Sequence, residues 1–392
     1  MIDNYDLKQL VQPLQMWFKK NARVLPWREK PNAYYVWISE IMLQQTRVEA
    51  VKPYFDRFIQ ALPDVKALAE CPEDKLLKLW EGLGYYNRVR NLKIAANQIM
   101  EEYDGVIPEE YEELLKLKGI GSYTAGAIAS IAYGKSVPAV DGNVLRVISR
   151  VTADDSDIMK QSVRKNIEQR LLDMMLSHDS NIADVQDGVL VPAIFNQALM
   201  ELGATVCLPN GAHRCDVCPW KEICKARRQD RITELPVKKK AKERRIEEKT
   251  VFIIKDGERL ALHKRPKKGL LAGLYELPNT EGYLSEQEAI EYIQKQGYMP
   301  IRIQTACDAK HIFSHVEWHM KGYVVFLQAH EFSYSEAGVV HQGKDETKGE
   351  QDWFFVDVEE TKDNYAIPSA FVKYAEYLNM TIGKDAIQKY EL

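Results

Sequence analysis

The chain has 392 residues, is 45% hydrophobic and 28% charged, and carries a formal net charge of −4. That length exceeds what one hydrophobic core organises, so two domains are the default, and the composition excludes fibrous and disordered classes. The acidic balance excludes a uniformly basic phosphate binder and leaves any nucleic-acid contact to local patches.

The opening MIDNYDLKQL is polar and charged, without the basic flank, apolar run and small-residue cleavage site of a secretory signal. The longest apolar stretch, around AGAIASIA at 125–132, is too short to span a bilayer. A cytoplasmic protein is expected, and in a reducing compartment clustered cysteines bind metal more often than they pair.

YYVWISEIMLQQT at 34–46, NLKIAANQIMEEY at 91–103 and FNQALMELGA at 195–204 space apolar residues three and four apart, which predicts helices. Glu40 is a polar break in the first of these and by itself reads as a solvent-facing glutamate. In LLKLKGIGSYTAGAIASIAYG, 114–134, two amphipathic segments flank Gly119-Ile120-Gly121. Glycines permit the tight turn, and unpaired amides at the start of the second helix suit a phosphate. Asp141, in PAVDGNVLRVISR at 138–150, stands just before another amphipathic helix, where an N-cap is its ordinary role.

Four of the six cysteines follow, as C-x7-C-x2-C-x5-C through Cys207, Cys215, Cys218 and Cys224. Four thiolates hold either a zinc ion or an iron-sulfur cluster, and spacing alone does not separate the two. Cys71 and Cys307 stand alone and read as small buried side chains. The basic run KKKAKERR, 238–245, reads as a solvated linker. After it come β-rich runs, TVFIIKDGERLALHKR at 250–265 and GYVVFLQAH at 322–330, with Asp256-Gly257 as a hairpin turn. His311, His315 and His319 would share one face only of a regular strand, so a metal there is the weaker reading. The organisation expected is an all-α domain over 1–230, a linker over 231–248 and a smaller α/β domain over 249–392.

The set LPWR at 25–28, SEIMLQQTRV at 39–48, EGLGYYNRVRN at 81–91, the hairpin LKGIGSYTAGA, the VDGN aspartate, FNQALMELGA and the cysteine loop resembles the MutY-type adenine DNA glycosylases of the helix-hairpin-helix superfamily. GLLAGLYELP from 269 looks like the opening of a Nudix fold, but SEQEAIEYI offers only part of the metal-binding glutamate set that would follow. The resemblance therefore implies a multi-domain protein: an all-α helix-hairpin-helix glycosylase domain with a 4Fe-4S cluster loop, then a Nudix-like domain that recognises 8-oxoguanine without hydrolysing a nucleotide. The family usually spaces its cluster ligands C-x6-C-x2-C-x5-C, so LPNGAHR carries one extra residue, in a loop, and the cluster is expected to survive it.

Carried over, Glu40 is the general acid, Asp141 the stabiliser of the sugar cation, and Tyr123 and Asn143 organise them. Arg23, Leu25, Trp27, Arg28 and Gln197 line the adenine pocket. Gln45, Thr46, Leu83 and Tyr85 wedge into the stack and meet the opposite base, Gly119 and Gly121 hold DNA phosphate, and Phe313, Ser314 and His315 read 8-oxoguanine. Arg214, Lys221 and Lys225 of the cysteine loop offer further phosphate contacts. Bifunctional relatives carry a Schiff-base lysine where Tyr123 stands, so the resemblance implies a monofunctional glycosylase. The expected partner is duplex DNA with adenine opposite 8-oxoguanine or guanine, bound by a monomer in a salt-dependent way. An endonuclease III-like enzyme or a non-catalytic DNA-binding protein are the alternatives from other classes.

Overall fold

A computed structural model describes residues 5–179, 190–211, 213–238, 243–328 and 353–378. Residues 239–242 of the basic run, 329–330 of the last β-rich run and Ala212 of the cysteine loop lie outside this set. The helices, in chain order, are α1 (Val11–Asn21), α2 (Pro26–Glu29), α3 (Ala33–Leu43), α4 (Val48–Ala61), α5 (Val65–Glu70), α6 (Glu73–Leu79), α7 (Asn87–Glu102), α8 (Tyr111–Leu114), α9 (Ser122–Tyr133), α10 (Gly142–Thr152), α11 (Gln161–Asp179), α12 (Pro192–Thr205) and α13 (Lys225–Arg228). Then follow β1 (Arg245–Asp256), β2 (Arg259–Lys264), β3 (Tyr275–Glu276), β4 (Asn279–Glu281), α14 (Glu286–Lys295), β5 (Pro300–Thr305), β6 (Ala309–Ile312), β7 (Val316–Leu327), β8 (Trp353–Asp357), α15 (Thr361–Asn364) and α16 (Val372–Ala375). Among the described residues no helix is long and apolar enough to cross a membrane. The chain divides into two compact units, residues 1–71 with 90–241, and residues 72–89 with 242–392.

The first unit is helical. Leu10, Leu14 and Phe18 pack with Val144, Leu145 and Ile148 of α10 and with Phe195, Leu199 and Leu202 of α12 in one buried cluster. Trp220 of the cysteine loop joins that cluster and donates its indole N–H to the Leu10 carbonyl at 3.0 Å. A buried amide ties three segments together: Asn196 accepts from the Ala139 N–H at 3.0 Å and donates to Ser130 Oγ and the Val137 carbonyl, both at 2.8 Å. This fixes the approach to Asp141 relative to α9 and α12. The turn before α9 needs its glycine, because Gly119 sits at φ +79° and a Cβ there would meet Asn91 Cβ at 2.6 Å.

The second unit is built on a mixed sheet of eight strands among the described residues, ordered β3-β2-β1-β7-β5, with β4 beside β1, β6 beside β7 and β8 beside β2. β1 and β7 run parallel, from Arg245 opposite Val316 to Lys255 opposite Phe326, and the other pairings are antiparallel. The β1–β2 hairpin forms as the sequence predicts but turns at Gly257-Glu258, one residue later than expected, because Asp256 still pairs with Arg259 and Gly257, at φ +59°, takes the first turn position. Alternation along the strands gives two apolar faces, one centred on Val251, Ile253, Trp318 and Phe371, the other on Phe252, Ile254 and Tyr323 beneath Ala289 and Ile293 of α14. Glu288 of α14 is engaged in a capping box with Ser285. Cys71 is buried as expected, but Cys307 is only partly buried, because it lies between strands with its thiol toward the Lys373 carbonyl.

Candidate active site

An open cleft of about 1160 Å³ in the helical unit is lined from α2, α3, α9, the start of α10, and α12. Glu40 lies here and not in solvent, as the helix pattern alone would have it. It is 6% exposed, because α3 is buried nearly all round. Burial pushes its carboxyl up to about 7, the nearby Asp141 charge adds to the rise, and a hydrogen bond from Tyr123 and the Arg28 charge oppose it. The Tyr123 hydroxyl donates to Glu40 Oε2 and lies 3.2 Å from Met200 Sδ. Burial, then the charges of Glu40 and Asp141, raise the Tyr123 phenol well above its usual range and keep it a neutral donor.

Asp141 is the N-cap of α10 and also lines the cleft. Oδ1 accepts from the Val144 N–H at 2.8 Å and Oδ2 from Asn143 Nδ2 at 2.7 Å. Burial raises this carboxyl, while those donors and the Arg146 guanidinium favour its charged form. Asn143 is in turn held by Arg146, whose Nη2 donates to Asn143 Oδ1 and to the Gly203 carbonyl, both at 2.8 Å. Gly203 must be small, since a Cβ there would lie 2.6 Å from Asn143 Cβ. The two carboxylates thus have different surroundings, one a largely apolar helix and the other a set of N–H donors. Such a split is what allows one carboxyl to serve as an acid while its neighbour stays an anion.

Arg23, Leu25, Trp27, Arg28, Gln45, Thr46 and Gln197 also line the cleft. Glu201 is the site residue missed in the sequence, where it looks like one more charge on FNQALMELGA. Its carboxylate is fully buried and accepts from Arg23 Nε at 2.6 Å, from Arg23 Nη2 at 3.0 Å and from Arg28 Nη2 at 3.0 Å. Although burial would raise it, these two guanidiniums hold the Glu201 carboxyl below its usual range. A glutamate inside an otherwise apolar helix was the available signal, as it was for Glu40.

The other expected residues lie outside this cleft. Gly119 and Gly121 form the hairpin before α9, with Gly121 as its N-cap. Leu83 and Tyr85 belong to the sheet unit, Leu83 buried and Tyr85 half-exposed at φ +49°. Phe313, Ser314 and His315 make the β6–β7 turn, in which Ser314 and His315 are exposed and their Oγ and Nδ1 lie 3.2 Å apart. Phe313 packs edge-on against Trp318 and His311, at centroid distances of 4.9 and 4.6 Å. His311, His315 and His319 sit on β6, its turn and β7 and do not converge; His319 bonds Glu317.

Cys207, Cys215, Cys218 and Cys224 are unpaired and gathered in one loop. Burial pushes the Cys218 thiol up to about 12, and each of the other three adds to that rise, so the four sense one another. Among the described residues no three His, Cys, Asp or Glu side chains converge on a single ion. Four thiolates gathered in one loop can hold either a zinc ion or an iron-sulfur cluster. Arg150 Nη1 donates toward Cys207 Sγ at 3.3 Å, and the buried Nδ1 of His213 in the same loop has no partner in the polypeptide. This donor set fits the group.

Residues 38–171 match the family model described as HhH-GPD superfamily base excision DNA repair protein, and residues 250–377 match the NUDIX domain. An adenine DNA glycosylase of Buchnera aphidicola subsp. Baizongia pistaciae (strain Bp) is 33% identical over 307 residues, covering 78% of this chain and 82% of that protein. The adenine DNA glycosylase of Mus musculus is 33% identical over 386 residues, covering 83% of this chain and 72% of its own. Among solved structures, a thermostable thymine-DNA glycosylase aligns with a TM-score of 0.47 and 25% identity, over 57% of this chain and 96% of that one.

Proposed function

The chain belongs to the adenine DNA glycosylase family, and from that membership we propose that it hydrolyses the N-glycosidic bond of adenine opposite 8-oxoguanine, and opposite guanine, in duplex DNA. The observation that carries this reading is the pairing in one cleft of a buried glutamic acid, poised to about 7, with an N-capped aspartate.

An adenine within a duplex must first be extruded, at a cost of roughly a few kcal/mol. Arg23, Leu25, Trp27, Arg28 and Gln197 receive it, with Glu201 fixing the two arginines. Glu40, protonated, donates to the seven-position ring nitrogen, which makes the base a neutral leaving group. The C1′–N9 bond breaks as positive charge develops on the sugar. Asp141, held ionised by the Val144 amide and Asn143, stabilises that charge or bonds briefly to the anomeric carbon. Water completes the displacement and leaves an abasic site. With Tyr123 where a lyase lysine would stand, no Schiff base forms and the strand stays intact.

Cys207, Cys215, Cys218 and Cys224 would hold a 4Fe-4S cluster. When bound, it supplies cross-links that order the 207–224 loop. The helical unit supplies catalysis, and the sheet unit, whose first strand begins at Arg245 inside the expected 231–248 linker, recognises 8-oxoguanine, with the Ser314 hydroxyl as a donor and acceptor at the oxidised edge. The test is release of free adenine from an adenine·8-oxoguanine duplex, with borohydride trapping run in parallel. Release without a trapped adduct is expected, and a trapped protein–DNA adduct would overturn the monofunctional assignment.

A further inference from the structure

Residues 72–89 leave the helical part of the chain, join the sheet unit and return. The excursion carries α6 and, just beyond it, Leu83 and Tyr85. We propose that Lys78 and Glu81 are positioning residues that lock the Leu83–Tyr85 loop to the unit bearing the 313–315 turn, so that reading of the opposite base and insertion of the wedge act as one event. The inference rests on the roles given above to Leu83, Tyr85 and Ser314.

Glu81 is 6% exposed; its Oε1 accepts from the Ile367 N–H at 2.8 Å and its Oε2 pairs with Lys78 Nζ at 2.7 Å. Lys78 Nζ also donates to the carbonyls of Thr361 at 3.0 Å and Tyr365 at 3.1 Å. All three ammonium hydrogens therefore have an acceptor, and backbone groups at three positions of 361–367 are satisfied from α6 and the turn that follows it. At its start, Asp74 takes a two-oxygen contact from Lys264 of β2, at 2.9 and 3.1 Å.

The loop beyond Glu81 is wound tightly. Gly82, Gly84 and Tyr85 all have left-handed backbone, at φ +93°, +69° and +49°. Trp80 Nε1 donates to the Gly84 carbonyl at 3.1 Å, and Arg88 Nη2 donates to the carbonyls of Leu83 and Gly84, both at 3.1 Å. The Arg88 guanidinium lies over the Tyr85 ring at 5.6 Å. A wedge pushed into a base stack needs a backing that does not yield. The clamp begins two residues before Leu83, and no turn of free chain intervenes. A buried ion pair contributes little stability beyond that of well-packed apolar side chains of similar volume. What it does supply here is direction: Lys78 and Glu81 together meet three acceptors and one donor, which fixes how this segment is placed.

The experiment compares single-turnover adenine release by the full chain from duplexes with adenine opposite 8-oxoguanine and opposite guanine. Lys78→Met and Glu81→Leu are expected to lower the ratio of the two rates by about five-fold or more, whereas Glu81→Gln, which keeps an acceptor for Ile367, retains most of it. In the Glu81→Leu background, Ser314→Ala is expected to change the ratio less than it does in the parent. Thermal unfolding establishes that each variant is folded; should Glu81→Leu not fold, Lys78→Met and Lys78→Gln carry the test. A ratio within about two-fold of the parent's, or both rates falling in equal proportion, overturns the inference. A parent protein with no preference for 8-oxoguanine would instead sink the recognition role of the 313–315 turn, and this inference with it.

Discussion

Tyr123, on the second helix of the hairpin, donates its phenolic hydrogen bond to the carboxyl of Glu40 on α3, inside a cleft also lined by Asp141. The contact makes Glu40 more acidic than burial alone would, and so sets where on the pH scale the proton donor survives.

Because the fold raises Glu40 to about 7, its protonated form prevails below that pH and is lost above it. The alkaline limb of kcat/KM for adenine release should therefore fall near pH 7. Tyr123→Phe removes a bond that favours the carboxylate, so the limb should move to higher pH. A pH–rate profile of both proteins checks this, and an unmoved limb or a shift to lower pH contradicts it.

Asp141 combines two jobs that one substitution separates. Asparagine caps a helix about as well as aspartate, so Asp141→Asn should leave the unfolding midpoint near the parent's. Loss of the fixed charge facing the sugar cation should cost on the order of 10²–10³ in rate. Differential scanning calorimetry and single-turnover kinetics on the same preparation decide it; a rate within a few-fold of the parent's argues that Asp141 only caps.

Gly203 makes a prediction that no reading of side-chain chemistry would offer. A Cβ there would stand 2.6 Å from Asn143 Cβ, so Gly203→Ala must push Asn143 off the Asp141 carboxylate or displace α12. Overpacking of this kind costs roughly 1–3 kcal/mol. Adenine release should fall at least ten-fold, with DNA affinity changed far less; an unaltered rate contradicts the positioning assigned to Asn143.

Glu201→Ala leaves two guanidiniums without their buried carboxylate. Breaking such a pair costs about 3–5 kcal/mol, reduced here because Arg23 is one-third exposed. Denaturant unfolding should show the loss, and activity should fall further than stability accounts for, since Arg23 and Arg28 face the cleft.

Much of this site was legible in the chain. LPWR, SEIMLQQTRV, LKGIGSYTAGA and VDGN carry Arg28, Glu40, Tyr123 and Asp141, which all line one cleft. Local spacing raised Glu40 as a break in an apolar helix but could not tell that it is buried, because one glutamate there can equally mark the side left to solvent. Glu201 escaped for the same reason; its partners lie 173 and 178 residues away. The attachment of 72–89 to the sheet unit was equally hidden, since Glu81 meets Ile367 across 286 residues and no periodicity encodes that meeting. Four closely spaced cysteines pointed to a metal-binding loop, but spacing in sequence does not choose between one ion and a cluster.

Cys218→Ser should release the bound group and loosen the loop that buries Trp220. Purified parent protein should contain about four iron atoms per chain with broad visible absorbance. Zinc in place of iron would contradict the cluster assignment.

The central claim is that Glu40 protonates a departing adenine. A duplex carrying adenine opposite 8-oxoguanine is incubated with excess enzyme, and free adenine is quantified for the parent and for Glu40→Gln. Stoichiometric adenine from the parent and none above background from Glu40→Gln is the predicted result; equal release from both would contradict it.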